Sequence, residues 1–189
     1  MKLKKFLEEH NIEAVLISSK YSLRYFTGFT GTTGIALAFA EKRFFFTDFR
    51  YVTQAKKEVE PNGFTVVKVE RGAVDALAEY IKNSGIKKLG IEDKYVTLAE
   101  YVVYKEKFEG IGFVTLGEAL DKLRMIKTEE EIGYIKKAVE IGDKVFEYIL
   151  DKVKEGAVEK DLAAEMEFQM KKLGGEGPSF ETIISSNYR

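Results

Sequence analysis

The chain has 189 residues, with 30 Lys and Arg against 31 Asp and Glu, a single His, no Cys and no Trp. Its 45% apolar and 13% aromatic content supplies a core and excludes a wholly disordered chain, while the near-neutral charge, without a basic run, excludes a surface built to track nucleic acid. The lack of Cys removes disulfides, thiolate metal sites and thiol nucleophiles together, and no stretch approaches the ~20 apolar residues that a membrane span requires.

Leu3, Phe6 and Leu7 recur at helical spacing, and Ala14 to Ile17 then form a short apolar run, so the chain opens as helix and buried strand. Residues 21–26 read as a short helix that runs into a Gly/Thr-rich loop at 27–34. Two β-prone runs follow at 35–39 and 43–47, separated by Ala40, Glu41 and Lys42, the spacing of a tight antiparallel hairpin. Helices at 51–58, 74–82 and 97–105 alternate with strands at 64–69, 88–91 and 112–115. That alternation, with short connections, predicts an α/β fold with a mixed sheet covered by helices.

The pattern changes after Leu120. Ile132, Ile135, Ala138, Val139, Phe146, Ile149, Leu150 and Val153 draw one apolar face at helical period. Thr128 with Glu131 three residues on has the form of a capping box, and Gly156 is the expected stop. A second helix is expected at 160–173, ended by Gly174 and Gly175, and then a strand at 180–185. The expected organisation is one domain over 1–122, a linker at 123–127 and the start of a second domain over 128–189. The two late helices are expected to keep apolar faces partly uncovered, and hence to self-associate.

Candidate reactive groups are few. His10 falls at the end of the first helix, where a surface role is expected, and neither a His-based triad nor a thiolate zinc site can be assembled around it. No EF-hand spacing of Asp about a central Gly occurs. The glycines of 27–34 have the composition of a phosphate cradle, but no Lys-Ser/Thr pair follows and the loop leads into a strand instead of a helix, so a structural loop or a rim is expected. Asp48 is expected to cap the helix after the hairpin. Arg50, beside it, is the one candidate substrate-binding residue, for a substrate carboxylate, with a structural or inter-domain ion pair as the competing expectation.

Several stretches together resemble one family. Tyr21-Ser-Leu-Arg-Tyr-Phe-Thr-Gly-Phe-Thr-Gly and Phe46-Thr-Asp-Phe-Arg-Tyr-Val-Thr-Gln-Ala are similar to the paired signature of the creatinase/prolidase N-terminal domain. Leu123-Arg-Met-Ile-Lys-Thr-Glu-Glu-Glu-Ile resembles the linker that opens the family's catalytic domain. Gly177-Pro-Ser-Phe-Glu-Thr-Ile-Ile-Ser-Ser-Asn-Tyr-Arg resembles the segment just ahead of the family's first active-site histidine.

The resemblance covers essentially the whole chain and implies a mixed-sheet creatinase/prolidase N-terminal domain followed by the first helices of a truncated α+β pita-bread domain. It further implies an Xaa-Pro dipeptidase or aminopeptidase carrying two divalent ions, Mn, Co or Zn, in the full-length enzyme. The family's metal ligands lie beyond the last motif, so no catalytic or metal-binding residue is expected here and the 189-residue chain alone is expected to be inactive. A peptide substrate, a homodimer and, with no secretory segment at the start, a cytoplasmic location are the associated expectations, with neither nucleic acid nor membrane as a partner. Two alternatives remain: a non-catalytic binding module that kept this domain, and a creatinase-type amidinohydrolase.

Overall fold

Val15 and Ile17 are fully buried on one face of the central sheet while Ala14 and Leu16 are fully buried on the other, because successive side chains of an extended backbone point opposite ways. The same split recurs at Ala36 against Leu37 and at Phe45 against Phe46. The sheet therefore has two apolar faces and needs a helical layer on each.

In this computed structural model, which describes residues 2–70 and 72–186, the chain divides into two compact units, Met1–Ile126 and Lys127–Arg189. The first unit carries, in order, α1 (Lys2–Glu9), β1 (Ala14–Ile17), α2 (Lys20–Thr27), β2 (Ile35–Phe39), β3 (Arg43–Thr47) and α3 (Val52–Val59). It continues with β4 (Thr65–Lys68), α4 (Ala73–Ser84), β5 (Lys88–Ile91), α5 (Leu98–Lys107), β6 (Gly112–Thr115) and α6 (Ala119–Lys122). The strands form one mixed sheet in the order β4-β3-β2-β1-β5-β6. β2 is antiparallel to both neighbours, and the β1–β5, β5–β6 and β3–β4 pairs are parallel. The hairpin register sets Ile35 opposite Phe46 and Ala38 opposite Arg43.

On one face Leu3, Phe6 and Leu7 of α1, Ala55 and Val59 of α3 and Leu120 of α6 pack against the sheet. On the other, Leu77 and Ile81 of α4 and Tyr104 of α5 do so, with Phe108 at the end of α5. Burial raises the Tyr104 phenol to about 12. Each fully buried Leu, Ile or Phe contributes roughly 1.5–3 kcal/mol, far more than a solvent-screened surface ion pair such as Lys107–Asp75, so the two apolar layers hold the unit together.

The second unit contains α7 (Glu129–Leu150) and α8 (Glu159–Lys172). α7 begins at the expected capping box: Thr128 Oγ1 accepts from the Glu131 N–H at 3.3 Å, and the Glu131 carboxylate accepts from the Thr128 N–H at 2.7 Å. The Tyr148 hydroxyl donates to Glu165 at 2.7 Å and ties the two helices. Val145 and Ile149 are buried, but Tyr134, Ile135, Val139, Phe146 and Leu150 are exposed, as is Phe168 on α8.

Two expected features of this unit differ from the structure. α7 stops at Leu150, because Val153, the next apolar residue at helical spacing, is 61% exposed and gains no packing from a longer helix; Gly156, at φ 83°, lies in the following loop instead of ending the helix. Residues 180–185 form no strand. A strand needs a ladder partner, and this segment is held by side chains: the Thr182 hydroxyl donates to Glu167 at 2.8 Å and the Ser186 N–H to Glu159 at 2.6 Å.

Candidate functional site

Since only β2 runs against the others, the carboxyl ends of β1, β3, β4, β5 and β6 open on one end of the sheet, together with the start of β2. In open α/β sheets a ligand crevice forms at that end, between adjacent strands whose connections depart in opposite directions. Here the switch lies between β1, which leads through α2 to β2, and β5, which leads through α5 to β6 on the other side.

That crevice is filled by the chain's own carboxylate. Glu92 follows β5 directly and is 3% exposed. One oxygen accepts the N–H groups of Ser18 and Ser19 at 2.7 and 2.9 Å, and the other accepts the hydroxyls of Ser19 and Ser22 at 3.0 and 2.5 Å. Ser19 is also the N-cap of α2, taking the Ser22 N–H on its hydroxyl oxygen. Glu92 thus occupies the place at the start of α2 that a bound anion takes in a nucleotide-binding sheet. The sequence offered a faint signal for it, a Ser-Ser pair and a Glu each placed straight after an apolar strand, but a carboxylate in Ile91-Glu92-Asp93 reads equally well as an exposed loop residue.

Next to this plug, residues 28–34 fold onto α3. Gly28 caps α2 at φ 74°, and a Cβ there would come within 2.8 Å of the Asn62 amide nitrogen. Phe29 is buried against Phe45 and Tyr51, with ring centroids 4.6 and 5.8 Å away. A Cβ on Gly31 would lie 2.4 Å from the Phe29 ring, and one on Gly34 would lie 2.3 Å from the Phe45 ring. The glycines therefore serve close packing of rings; this loop is no phosphate cradle. Thr32 meets the Tyr51 hydroxyl at 2.6 Å, and the Thr47 hydroxyl donates to the Thr33 carbonyl at 2.6 Å. The two halves of the paired signature are thus one structural unit.

Asp48 does not cap α3, whose N-cap is Tyr51. Its carboxylate instead accepts the Arg50 N–H at 3.0 Å and the Arg50 side chain in fork fashion, Nε at 3.0 Å and Nη2 at 2.7 Å. A donor two residues away closes a tight Asx-type turn and leaves the carboxylate committed before the helix begins. The hydrogen-bonded guanidinium holds the Asp48 carboxyl below its ordinary 3.8, and Asp48 in turn raises Arg50. Arg50 also lies over the Tyr51 ring at 5.5 Å, and its side chain stays 58% exposed, beside Phe49 at 75%.

His10 lies just beyond α1, stacked on the Phe6 ring at 4.2 Å with its Nδ1 2.9 Å from the Phe6 carbonyl oxygen. Among the described residues no group of three or more His, Asp or Glu side chains stands close enough to hold a metal ion. The donor set of these residues does not fit a dinuclear metal site. No helix among the described residues is long and apolar enough to cross a membrane.

Fold and loops define an α/β domain whose switch-point crevice is filled by Glu92, with the 28–34 loop and the Asp48–Arg50 turn at the same end of the sheet. Residues 1–126 match the Creatinase/Prolidase N-terminal domain and residues 133–189 match Metallopeptidase family M24. The chain belongs to the creatinase/prolidase N-terminal domain family. It is 35% identical to an Xaa-Pro dipeptidase of Pyrococcus furiosus and 36% identical to an uncharacterized peptidase, YqhT, of Bacillus subtilis, matching along 100% of its own length and 52% and 53% of theirs. It therefore spans about half the length of the curated relatives it matches. Among solved structures it is similar to an Xaa-Pro dipeptidase from Bacillus anthracis (TM-score 0.88, 36% identity, 95% of this chain and 50% of that one). The N-terminal domain of the cytoplasmic peptidase PepQ from Mycobacterium tuberculosis is also similar (TM-score 0.59, 31% identity, 65% of this chain and 95% of that one).

Proposed function

We propose that these residues form the N-terminal part of a metal-dependent peptidase that cleaves Xaa-Pro bonds, as a proline dipeptidase or an Xaa-Pro aminopeptidase. The observation that carries the reading is the order of the two family matches, 1–126 and then 133–189, along proteins named Xaa-Pro dipeptidase that are about twice as long. In this reading residues 1–122 shape the rim around a peptide, 123–127 link the domains, and 128–189 begin the catalytic domain.

The two divalent ions, Mn, Co or Zn, would be held by residues of the longer enzyme, since no donor group among the described residues fits them. Arg50 is the rim residue assigned to a substrate carboxylate, shared with Asp48. A homodimer follows from the family resemblance, and the likeness to a peptidase named cytoplasmic supports that location.

Purified 189-residue protein supplied with Mn(II) or Co(II) is expected to leave Xaa-Pro dipeptides and longer Xaa-Pro peptides intact. A longer chain that completes the metallopeptidase pattern is expected to cleave them and to stop on chelation. Chelator-sensitive cleavage by the 189 residues alone would overturn the proposed division of labour, and an inactive longer chain would overturn the peptidase reading.

A further inference from the structure

Thr30 offers both its donors to one side chain: its N–H reaches Glu58 Oε2 at 2.9 Å and its hydroxyl reaches Glu58 Oε1 at 2.9 Å. Gln54, one turn earlier on α3, donates to Thr30 Oγ1 at 3.0 Å and to Glu58 Oε1 at 3.1 Å. Among side chains only a carboxylate accepts an N–H and an O–H side by side on two oxygens, and α3 holds it in place. The foot of the loop is anchored differently, by the buried Phe29. Thr30 and Thr32, at its tip, are exposed, so polar ties and not burial fix their position.

We propose that Glu58 is a latch that docks the tip of the 28–34 loop onto α3, and that breaking it releases Thr30 while Phe29 and the Thr32–Tyr51 contact stay in place. The loop tip is then a two-state element: the contacts of Thr30 to Glu58 and Gln54 set its closed form, and losing the carboxylate leaves Thr30 to move about the buried Phe29. This inference rests on the loop's own geometry and stands apart from the peptidase reading.

The test is amide hydrogen exchange on the full 189-residue chain. The Thr30 N–H has the Glu58 carboxylate as its acceptor, so it reports the latch directly. In Glu58→Ala, where Ala keeps the helix, Thr30 is expected to exchange about tenfold faster, with the β1 and β5 amides of Val15, Leu16 and Leu89 within about twofold of the parent. Thr30→Val, which keeps the N–H and removes the hydroxyl, and Glu58→Gln, which keeps one acceptor oxygen, are expected to fall between parent and Glu58→Ala. They carry the test if the alanine variant does not fold. An acceleration at residue 30 below about threefold in Glu58→Ala, or in both milder variants no change at all, overturns the latch. Equal acceleration of loop and sheet amides overturns it as well, because the carboxylate would then stabilise the whole unit and not the loop.

Discussion

Ser19 gives both its backbone N–H and its hydroxyl to Glu92, at 2.9 and 3.0 Å, and so ties the start of α2 to the end of β5. Replacing Glu92 with Ala strands two N–H groups and two hydroxyls in a buried place, and the expected loss is about 2–4 kcal/mol of stability in urea unfolding. Glu92→Gln keeps one acceptor oxygen and should lose roughly half of that. A Glu92→Ala protein as stable as the parent would show that the plug carries no weight.

Two glycines should respond to alanine with opposite signs. Gly34→Ala places a methyl 2.3 Å from the Phe45 ring, deep in the core, and should destabilise by about 1–3 kcal/mol through overpacking. Gly142 sits inside α7 with open space around its Cβ position, so Gly142→Ala should raise stability by about 0.5–1 kcal/mol and increase helical circular dichroism.

The pH response of the latch follows from its neighbours. Partial burial pushes the Glu58 carboxyl up, but the Thr30 N–H and hydroxyl, the Gln54 amide and the nearby Lys57 charge together bring it below its ordinary 4.5. A carboxyl depressed in the folded state contributes stability above its unfolded value and loses it as pH falls through the folded one. A carboxyl-carbon NMR titration should therefore place the Glu58 midpoint below 4.5, and Thr30 protection should disappear across that same midpoint as the solution is acidified.

Arg50 gives a clean separation of structure from function. Its ion pair with Asp48 is exposed and screened by solvent, so Arg50→Ala should leave the urea-unfolding midpoint nearly unchanged. In a longer, active chain the same substitution should raise KM with kcat nearly unchanged if the guanidinium meets a substrate carboxylate, whereas an unchanged KM would assign Arg50 to the turn alone.

Much of this was legible because period and punctuation are local. The strands Ile35–Phe39, Arg43–Thr47, Lys88–Ile91 and Gly112–Thr115 fall where their β-prone runs predicted, and the Thr128–Glu131 box opens α7 as its spacing required. Apart from the early end of α7, the misses share one cause, a partner that spacing does not reveal. Asp48 fits an N-cap by position but is captured by Arg50; the apolar run at 180–185 fits a strand but finds no ladder; Glu92 reads as an ordinary loop acid until β1 is laid beside β5. The Gly/Thr-rich loop stands out in the sequence, yet two of the rings that demand its glycines, Phe45 of β3 and Tyr51 ahead of α3, lie outside it.

The pairing of β1 with β5 also bears on how the domain is made. Ser18 and Glu92 stand 74 residues apart, so a growing polypeptide can assemble the hairpin side of the sheet early but must leave one edge of β1 bare until β5 leaves the ribosome. During that interval Ala14 to Leu16 present an apolar, half-paired edge, the kind of surface on which nascent chains clump. The time taken to synthesise β4 and α4, which lie between the hairpin and β5, sets how long that edge stays open.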